Sequence, residues 1–369
     1  MQGFKLLPEW AAQDAVMLTW PHAQTDWADF LADVEQTFFA IAQVISRYAD
    51  LVVVCHNEAL KSTLTAQFSQ LGIHNAHFQV IANNDSWARD HGPITVQDSE
   101  NQLHWLDFQF TGWGDKFSAE LDNAINQQLV QASFLKITSC QTQPLVLEGG
   151  AIETDGNGSL LVTRHCLLND NRKNALSQSE FAAKLRHLFG IEQLLWLDHG
   201  YLAGDDTDAH IDTLARFTPN RGIVYVSCDD VNDEHFQPLQ AMAQQLSQFR
   251  NQDNQPYQLF ALPWPSAKYA PEGERLPASY ANYLILNGAI LLPTYGDRQD
   301  EAAIAVIKAA YPGYQVHAID CQALIRQYGS LHCVTMQLPK GSLVMPMTAA
   351  SLDSSISSTL RIASEDSAC

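Results

Sequence analysis

Basic residues are scarce in this sequence of 369 residues: 21 Lys and Arg stand against 41 Asp and Glu, so the formal net charge is −20. A protein that binds nucleic acid needs a positively charged surface, and this balance argues against such a partner. The acidic excess suits a small cationic ligand, although many proteins are acidic for solubility alone.

Long apolar runs are also missing. No stretch of the sequence approaches the ~20 apolar residues that a membrane-spanning helix requires. The opening residues MQGFKLLPEW do not combine a basic segment with an apolar one, as a signal peptide does. We therefore expect no membrane partner and predict a cytoplasmic protein.

Paired cysteines and metal-binding motifs are absent as well. The seven cysteines are widely spaced and form no C-x-x-C pair, which argues against a disulfide framework and favours a reducing compartment. The sequence has no H-E-x-x-H, and it lacks the combination of H-x-E with P-C-x-x-C that zinc nucleobase deaminases carry. We expect no metal and no cofactor, with a zinc hydrolase as the alternative that metal analysis would test.

What the sequence does have is a repeated order of elements. Turn residues between two apolar runs, a strong hairpin signal, recur in the segments ITV-to-HWLDFQF, 151–163, 213–227, 283–293 and 334–346. Helical patterns and a further strand follow, as in SQSEFAAKLRHLF before QLLWL. The order strand, strand, helix, strand predicts an α/β protein of five comparable units.

No such unit buries its own apolar face, so five of them predict a closed, radially repeated architecture. The N-terminal strand AVMLTW, residues 15–20, is expected to complete the last unit. Thr25 or Asp26 is a candidate cap for the helix that follows. Residues 1–346 are predicted to form a single catalytic domain, and the Ser-rich residues 347–369 a loosely ordered tail.

Reactive side chains stand where the hairpins open. Asp90, Glu148, His210 and Cys333 occupy four of the five openings, and Asn282 the fifth. In a ring of pseudo-symmetric units, equivalent positions converge on the axis, so we expect these side chains in one pocket. A thiol, a histidine and carboxylates are what a cysteine hydrolase requires.

The motifs around these positions resemble the agmatine deiminase family, within the guanidino-modifying superfamily and close to the Porphyromonas-type peptidylarginine deiminases. The resemblance runs from about Pro8 to Pro346 and includes NDSWARDHGP, LEGGAIETDG, DTDAHID, YANYLILNGAILLPTYGD and SLHCVT-Q. It implies the pentein fold, a five-bladed α/β propeller. Many relatives have GGG-x-HC and a double Gln, where this chain has GSLHC and Met336–Gln337.

The resemblance also implies an activity. Agmatine would be hydrolysed to N-carbamoylputrescine and ammonia, in putrescine biosynthesis, through a covalent thiouronium on Cys333. His210 matches the family's acid and base, Asp90 and Asp212 its guanidinium-binding acids, and Glu148 the acid that holds the histidine. If residues 210–212 are a strand, His210 and Asp212 face the same side.

Two further residues carry expected binding roles. The family places a tryptophan at the position of Trp87 against the substrate's methylenes, and an acid at the position of Asp206 near its distal amine. Each site residue also has an ordinary alternative: Cys333 and Trp87 as core, Glu148 as a turn cap, and Asp206 as a loop acid.

Several neighbours are expected to have no part in the chemistry. His91 and His332 adjoin site residues, but on a strand they would point the other way, so we interpret both as structural. Arg89 likewise faces away from Asp90 if its segment is extended, and His165 and His199 have no matching partner.

Other functions stay open at this stage. A bacterial peptidylarginine or free-arginine deiminase is the enzyme alternative, although no obvious arginine stands ready for the carboxylate of free arginine. A catalytically silent binding protein on the same propeller is the alternative that is not an enzyme. The expected partner is a small cationic guanidino compound, and a homodimer is left open as the assembly.

Overall fold

The computed structural model describes residues 3–347. The longer helices alternate with short strands along the whole of this range. The strands are Lys5–Leu6, Gln13–Thr19, Asp50–Cys55, Ala76–Val80, Ile94–Gln97, Leu103–Gln109, Ser139–Val146, Glu153–Thr154, Ser159–Thr163, Gln193–Leu197, Ala215–Thr218, Gly222–Val226, Gln258–Leu262, Lys268–Tyr269, Arg275–Leu276, Leu284–Leu286, Ala289–Thr294, Gln315–Asp320 and Met336–Pro339. The α-helices are Leu31–Ile45, Glu58–Gln70, Ala88–His91, Gly112–Asp115, Ile125–Leu129, Arg164–Leu167, Gln178–Phe189, Phe236–Gln248 and Asp300–Ala310.

Five sheets of three or four strands share one pairing pattern. In the third of them, Gly222–Val226 pairs antiparallel with Ala215–Thr218 and parallel with Gln258–Leu262. The hairpin supplies the antiparallel pair, and the helix Phe236–Gln248 provides the crossover that a parallel neighbour needs. The mixed α/β class and the repeated order of elements are confirmed.

The last predicted hairpin, 334–346, is wrong. Met336–Pro339 pairs antiparallel with Gln13–Thr19, so the N-terminal strand completes the last unit, as the sequence predicted. No return strand forms after Gly341 within the described residues, because the Asp14 carboxylate accepts hydrogen bonds from the backbone N–H groups of Gly341 and Leu343.

The helix Leu31–Ile45 buries one face against the sheet that contains Asp50–Cys55, whose six residues are all buried. Its buried side chains, spaced by three and four, include Val34, Phe38 and Ile41. Each such side chain removed from water contributes about 1.5–3 kcal/mol. The predicted cap is wrong: a 3-10 turn precedes the helix, and Phe30 occupies the N-cap position with no side-chain hydrogen bond.

Three short helical turns lie at the predicted site residues, and two of them replace segments that were considered as extended. Ala88–His91, Gly149–Ala151 and Ile211–Thr213 pack side by side. The first turn contains Asp90, the second begins directly after Glu148, and the third begins directly after His210 and contains Asp212. These turns bring together side chains that lie far apart in the chain.

Among residues 3–347, no helix is long and apolar enough to cross a lipid bilayer. The tail predicted for 347–369 lies, apart from Met347, outside the described residues.

Candidate active site

Three predicted site residues meet over Gly150. A Cβ atom built on this glycine would lie 2.6 Å from His210 Nδ1, 2.8 Å from Asp90 Oδ1 and 3.0 Å from Asp212 Oδ2. Such distances are closer than van der Waals contact, so only glycine leaves room for the three polar atoms. The LEGG motif is therefore needed for close approach of the side chains.

Asp90 is held by two donors. Its Oδ1 accepts the Gly150 N–H at 3.0 Å, and its Oδ2 accepts Trp113 Nε1–H at 2.9 Å. Burial raises the pKa of Asp90 to about 6, with His210 opposing this and the charges of Asp212 and Glu148 adding to it. Asp90 is thus oriented, and a bound cation would favour its charged form.

His210 is completely buried and both of its ring nitrogens lack a hydrogen-bond partner among the described residues. Nδ1 lies 3.6 Å from Asp90 Oδ1, and Nε2 lies 3.8 Å from Glu148 Oε2. Burial opposes protonation, but the charge of Asp90, together with Cys166 and Glu148, raises the pKa of His210 well above its usual value. This histidine is disposed to carry a proton.

Glu148 is paired with a residue that the sequence analysis missed. Arg172 Nε donates to Glu148 Oε1 at 2.8 Å, and Arg172 also pairs with Asp208. Burial raises the pKa of Glu148, but His210 and Arg172 outweigh it, and the pKa falls below its usual value. Glu148 is therefore a buried carboxylate beside His210 and not a turn cap, since its side chain caps nothing in Gly149–Ala151.

Cys333 is held by Asn282, from the fifth hairpin opening. Asn282 Oδ1 accepts from the backbone N–H groups of His332 at 2.9 Å and Cys333 at 3.4 Å, and from Cys333 Sγ at 3.4 Å. Burial raises the pKa of the Cys333 thiol well above its usual value, and the charges of Asp212 and Asp90 raise it further. Without a bound cation, the thiol stays protonated.

Asp212 is fixed from behind by His332. His332 Nδ1 lies 2.7 Å from Asp212 Oδ2, whereas Asp212 Oδ1 is buried and has no partner in the described part of the chain. Two expectations are corrected here. Residues 211–213 form a helical turn, so strand alternation does not explain why His210 and Asp212 share the site. His332 lies in a turn and contacts Asp212, so it does not point away.

Arg89 and His91 were predicted to be structural, and both bond to residues outside the group of Asp90, His210 and Asp212. Arg89 is in the helical turn Ala88–His91, not an extended segment, and it bonds Glu9 and Gln337. His91 Nε2 lies 3.2 Å from Thr19 Oγ1. His165 and His199 are exposed at the surface.

A cavity of about 350 Å³ reaches Cys333. Its walls are aromatic and acidic. The lining residues are Asp26, Asp85, Trp87, Asp90, Trp113, Phe117, Asp206, Thr207, Gln327, Tyr328, Gly329 and Cys333. None of these described residues is Lys or Arg, so the cavity suits a cation with an apolar body.

Trp87 and Trp113 form the aromatic part of this wall, with ring centroids 6.2 Å apart. Trp87 Nε1 donates to Asp85 Oδ2 at 2.9 Å. A Cβ on Gly329 would come within 2.1 Å of the Trp87 ring, so the glycine allows the ring to lie beside the cysteine loop. Trp113 was missed, although its flanking glycines in TGWGD were a usable signal.

Of the three acids before His210, only Asp206 lines the cavity. Asp205 accepts hydrogen bonds within its own turn from Thr207 and Ala209, and Asp208 is paired with Arg172 and Lys116. Burial and the charge of Asp205 raise the pKa of Asp206 to about 7, against the opposing charge of Lys116.

A larger cavity of about 600 Å³ lies on the other side of Arg89 and is lined by Glu9, Gln13 and Gln337 among others. Its described lining contains no cysteine, whereas the smaller cavity reaches both Cys333 and Asp90. We therefore place the candidate site in the smaller cavity. Within residues 3–347, one group of three metal-ligating side chains comes together: Glu148, Cys166 and His210, with ligand atoms within 4.8 Å of one another.

Known proteins resemble the chain over nearly its whole length. An agmatine deiminase from Pseudomonas fluorescens is 30% identical over 91% of this chain and 96% of its own. The C. jejuni agmatine deiminase, solved as a cysteine-to-serine variant with substrate bound, is 35% identical, covers 92% of this chain and 98% of its own, and superposes with a TM-score of 0.85.

A structure from Porphyromonas gingivalis, provisionally named an arginine deiminase, is 45% identical with a TM-score of 0.85, and covers 92% of this chain and 99% of its own. The family model of the Porphyromonas-type peptidyl-arginine deiminases matches residues 5–339. The chain belongs to the Porphyromonas-type peptidyl-arginine deiminase family.

Proposed function

We propose that the protein is an agmatine deiminase, which hydrolyses agmatine to N-carbamoylputrescine and ammonia. The observation that carries this proposal is a set of buried polar atoms at the candidate site that have no hydrogen-bond partner among the described residues: both ring nitrogens of His210, Asp212 Oδ1 and Asn282 Nδ2. Such atoms are costly unless a ligand satisfies them. A planar guanidinium, with several N–H donors, satisfies carboxylate oxygens well.

Asp90 and Asp212 hold the guanidinium in this proposal. Burial and these two carboxylates keep the Cys333 thiol protonated in the empty site. A bound cation between the carboxylates offsets their charge, so substrate binding itself favours loss of the thiol proton to solvent. The thiolate then forms next to the electrophilic carbon that it attacks.

The thiolate of Cys333 attacks the guanidinium carbon and forms a tetrahedral adduct. Protonated His210 gives a proton to one amino group, the C–N bond breaks, and ammonia leaves. The product on the enzyme is an amidino thioether, or thiouronium. Its planar carbon is now open to water.

His210, neutral after the first step, takes a proton from the attacking water. The second tetrahedral adduct loses its hydroxyl proton to solvent and collapses with cleavage of the C–S bond, which restores the Cys333 thiolate and releases the neutral ureido product. Glu148 stabilises the charged imidazole in both steps. Arg172, at 2.8 Å, keeps Glu148 ionised.

Trp87 and Trp113 enclose the methylene chain, and Asp206 receives the distal ammonium. The residues at this end of the cavity determine whether agmatine, free arginine or peptidyl arginine is the preferred substrate. Free arginine brings a carboxylate into a cavity whose described lining contains four aspartates and no cation. Peptidyl arginine needs an open exit for a peptide on both sides of its Cα.

We infer that the five sheets are blades of a pentein propeller, and that residues 1–346 are one catalytic domain. The six described cysteines are free, which supports a reducing, cytoplasmic setting. The product would serve putrescine biosynthesis, and a homodimer is an assembly compatible with the fold.

A substrate panel tests the function. The purified protein is given agmatine, free arginine and an N-acylated arginine amide, and ammonia release is measured at matched concentrations. Turnover of agmatine well above the other two is the expected result. Preference for either arginine compound would replace the proposal with the corresponding arginine deiminase, and ammonia release from none of them would favour the silent binding protein.

A further inference from the structure

Behind His210, on the side away from Asp90, lie two side chains that bind metals. Glu148 Oε2 is 3.8 Å from His210 Nε2, and Cys166 completes a group whose three ligand atoms lie within 4.8 Å of one another. All three residues are fully or almost fully buried. Nothing in the proposed reaction requires the Cys166 thiol.

We propose that Glu148, Cys166 and His210 form an inhibitory site for a divalent cation of the zinc class. Zinc favours a thiolate, an imidazole and a carboxylate as ligands, at about 2.0–2.3 Å. Ligand atoms around one tetrahedral zinc ion are about 3.5 Å apart, so shifts of about an ångström close the site. His210 Nε2, which has no hydrogen-bond partner within residues 3–347, supplies the imidazole ligand.

The surrounding charges favour a cation. Asp90 lies on the other side of the imidazole, and Asp212 is close by, so His210 is surrounded by carboxylates. Arg172 is the one described cation in contact, with Nε at 2.8 Å from Glu148 and Nη2 at 3.8 Å from Cys166. Its single charge does not balance three carboxylates.

Binding of the metal ion blocks the deimination reaction because it occupies His210, the proposed acid and base. When the ion binds, the S–H bond of Cys166 and the Nε2–H bond of protonated His210 break, both protons go to the buffer, and S–metal and N–metal bonds form. With Nε2 bound to the metal and its remaining proton on Nδ1, His210 has no free lone pair and can no longer take up a proton as the base of the reaction. Inhibition therefore rests on the proposed function, whereas binding of the ion does not.

The binding test uses Cd²⁺, which shares zinc's ligands and gives an ultraviolet charge-transfer band when bound to thiolate. We expect one Cd²⁺ per chain with this band, and loss of about 100-fold or more in affinity in Cys166→Ala, because partners outside the coordination sphere already change affinity 10- to 100-fold. Cys333→Ala keeps the band, and Cys140→Ala controls for a partly exposed thiol.

The activity test follows with Zn²⁺. Zn²⁺ is expected to inhibit the parent reversibly, with a chelator restoring turnover, and to inhibit Cys166→Ala only at about 100-fold higher concentration or above, as its affinity for this site predicts. If Cys166→Ala is poorly folded, Cys166→Ser, which keeps the volume, replaces it.

The outcomes separate the two proposals. A Cd²⁺ band that vanishes in Cys333→Ala and survives in Cys166→Ala means that the ion binds the nucleophile, and the inhibitory site is then wrong. Equal Zn²⁺ inhibition of the parent and Cys166→Ala has the same consequence. A parent that binds Cd²⁺ through Cys166 but deiminates nothing overturns the proposed function and leaves the metal site standing.

Discussion

His332 Nδ1 lies 2.7 Å from Asp212 Oδ2, and on its other side His332 Nε2 lies 2.9 Å from Glu9 Oε1. The imidazole thus connects a carboxylate of the N-terminal segment to a carboxylate of the site. Burial and the charges of Arg216 and Arg89 lower the pKa of His332, although Glu9 and Asp212 oppose this. In the neutral imidazole the single N–H, at Nδ1, donates to Asp212 Oδ2 and leaves Asp212 Oδ1 free, while Nε2 accepts from Arg216 Nη2 at 3.1 Å.

His332→Ala is expected to raise KM for agmatine more than it lowers kcat. A hydrogen bond to a charged group contributes about 1.5–3 kcal/mol, so kcat/KM should fall roughly 10- to 100-fold. His332→Asn, whose amide donates from a similar position, should recover part of the loss. His91→Asn, a buried histidine that bonds Thr19 and no carboxylate, is the matched control. A kcat/KM for His332→Ala within about twofold of the parent contradicts this positioning role.

Cys333→Ala should abolish ammonia release and leave the fold intact, because it removes the only atom that bonds to the substrate carbon. The measurements are ammonia release and thermal unfolding. Cys321→Ala, at a buried cysteine that does not line the cavity, controls for loss of a thiol. Activity of Cys333→Ala within about tenfold of the parent would contradict the assignment of Cys333 as the nucleophile.

Agmatine should be preferred over arginine by at least about 100-fold in kcat/KM, since an unpaired buried carboxylate costs several kcal/mol and ~1.4 kcal/mol is tenfold. Asp206→Asn should lower kcat/KM for agmatine and reduce the ratio of kcat/KM between agmatine and arginine. Asp26→Asn, at an exposed acid on the same cavity, should do less. Comparable use of arginine and agmatine by the parent would mean that the acidic end of the pocket is wrongly assigned.

The KM for agmatine should rise as pH falls through about 7, where Asp206 titrates. Its pKa is raised, so the carboxylate is charged above that pH and loses its attraction for the ammonium below it. The profile of KM between pH 6 and 8 measures this, with an expected limit of about tenfold per pH unit from one group. In Asp206→Asn this part of the profile should flatten, and an unchanged profile would remove Asp206 from substrate binding.

Activity should survive prolonged treatment with a strong chelator, because none of the proposed steps uses a metal. Ammonia release before and after dialysis against the chelator is the measurement. Loss of activity that zinc restores would revive the zinc hydrolase. One titration of the chelator-treated protein with zinc distinguishes the two hypotheses. A metalloenzyme regains activity as zinc is added, whereas a protein with the inhibitory site loses activity.

The sequence by itself determined the class of fold and the chemical groups of the site. Alternating apolar runs and turns predicted the hairpins at 153–163 and 215–226, and the spacing of Val34, Phe38 and Ile41 predicted the first long helix, because strand and helix periods are local properties. The hairpin predicted at 334–346 failed because the Asp14 carboxylate, 327 residues before Gly341, accepts the backbone N–H groups of Gly341 and Leu343.

Tertiary structure alone decided which side chains touch. Residues 88–91 and 211–213 are helical turns that pack on Gly149–Ala151, and this packing, not strand alternation, brings Asp90, His210 and Asp212 together. Partners such as Asn282, His332 and Arg172 have no local signature, because a hydrogen bond between residues dozens to hundreds of positions apart exists only once the chain has folded.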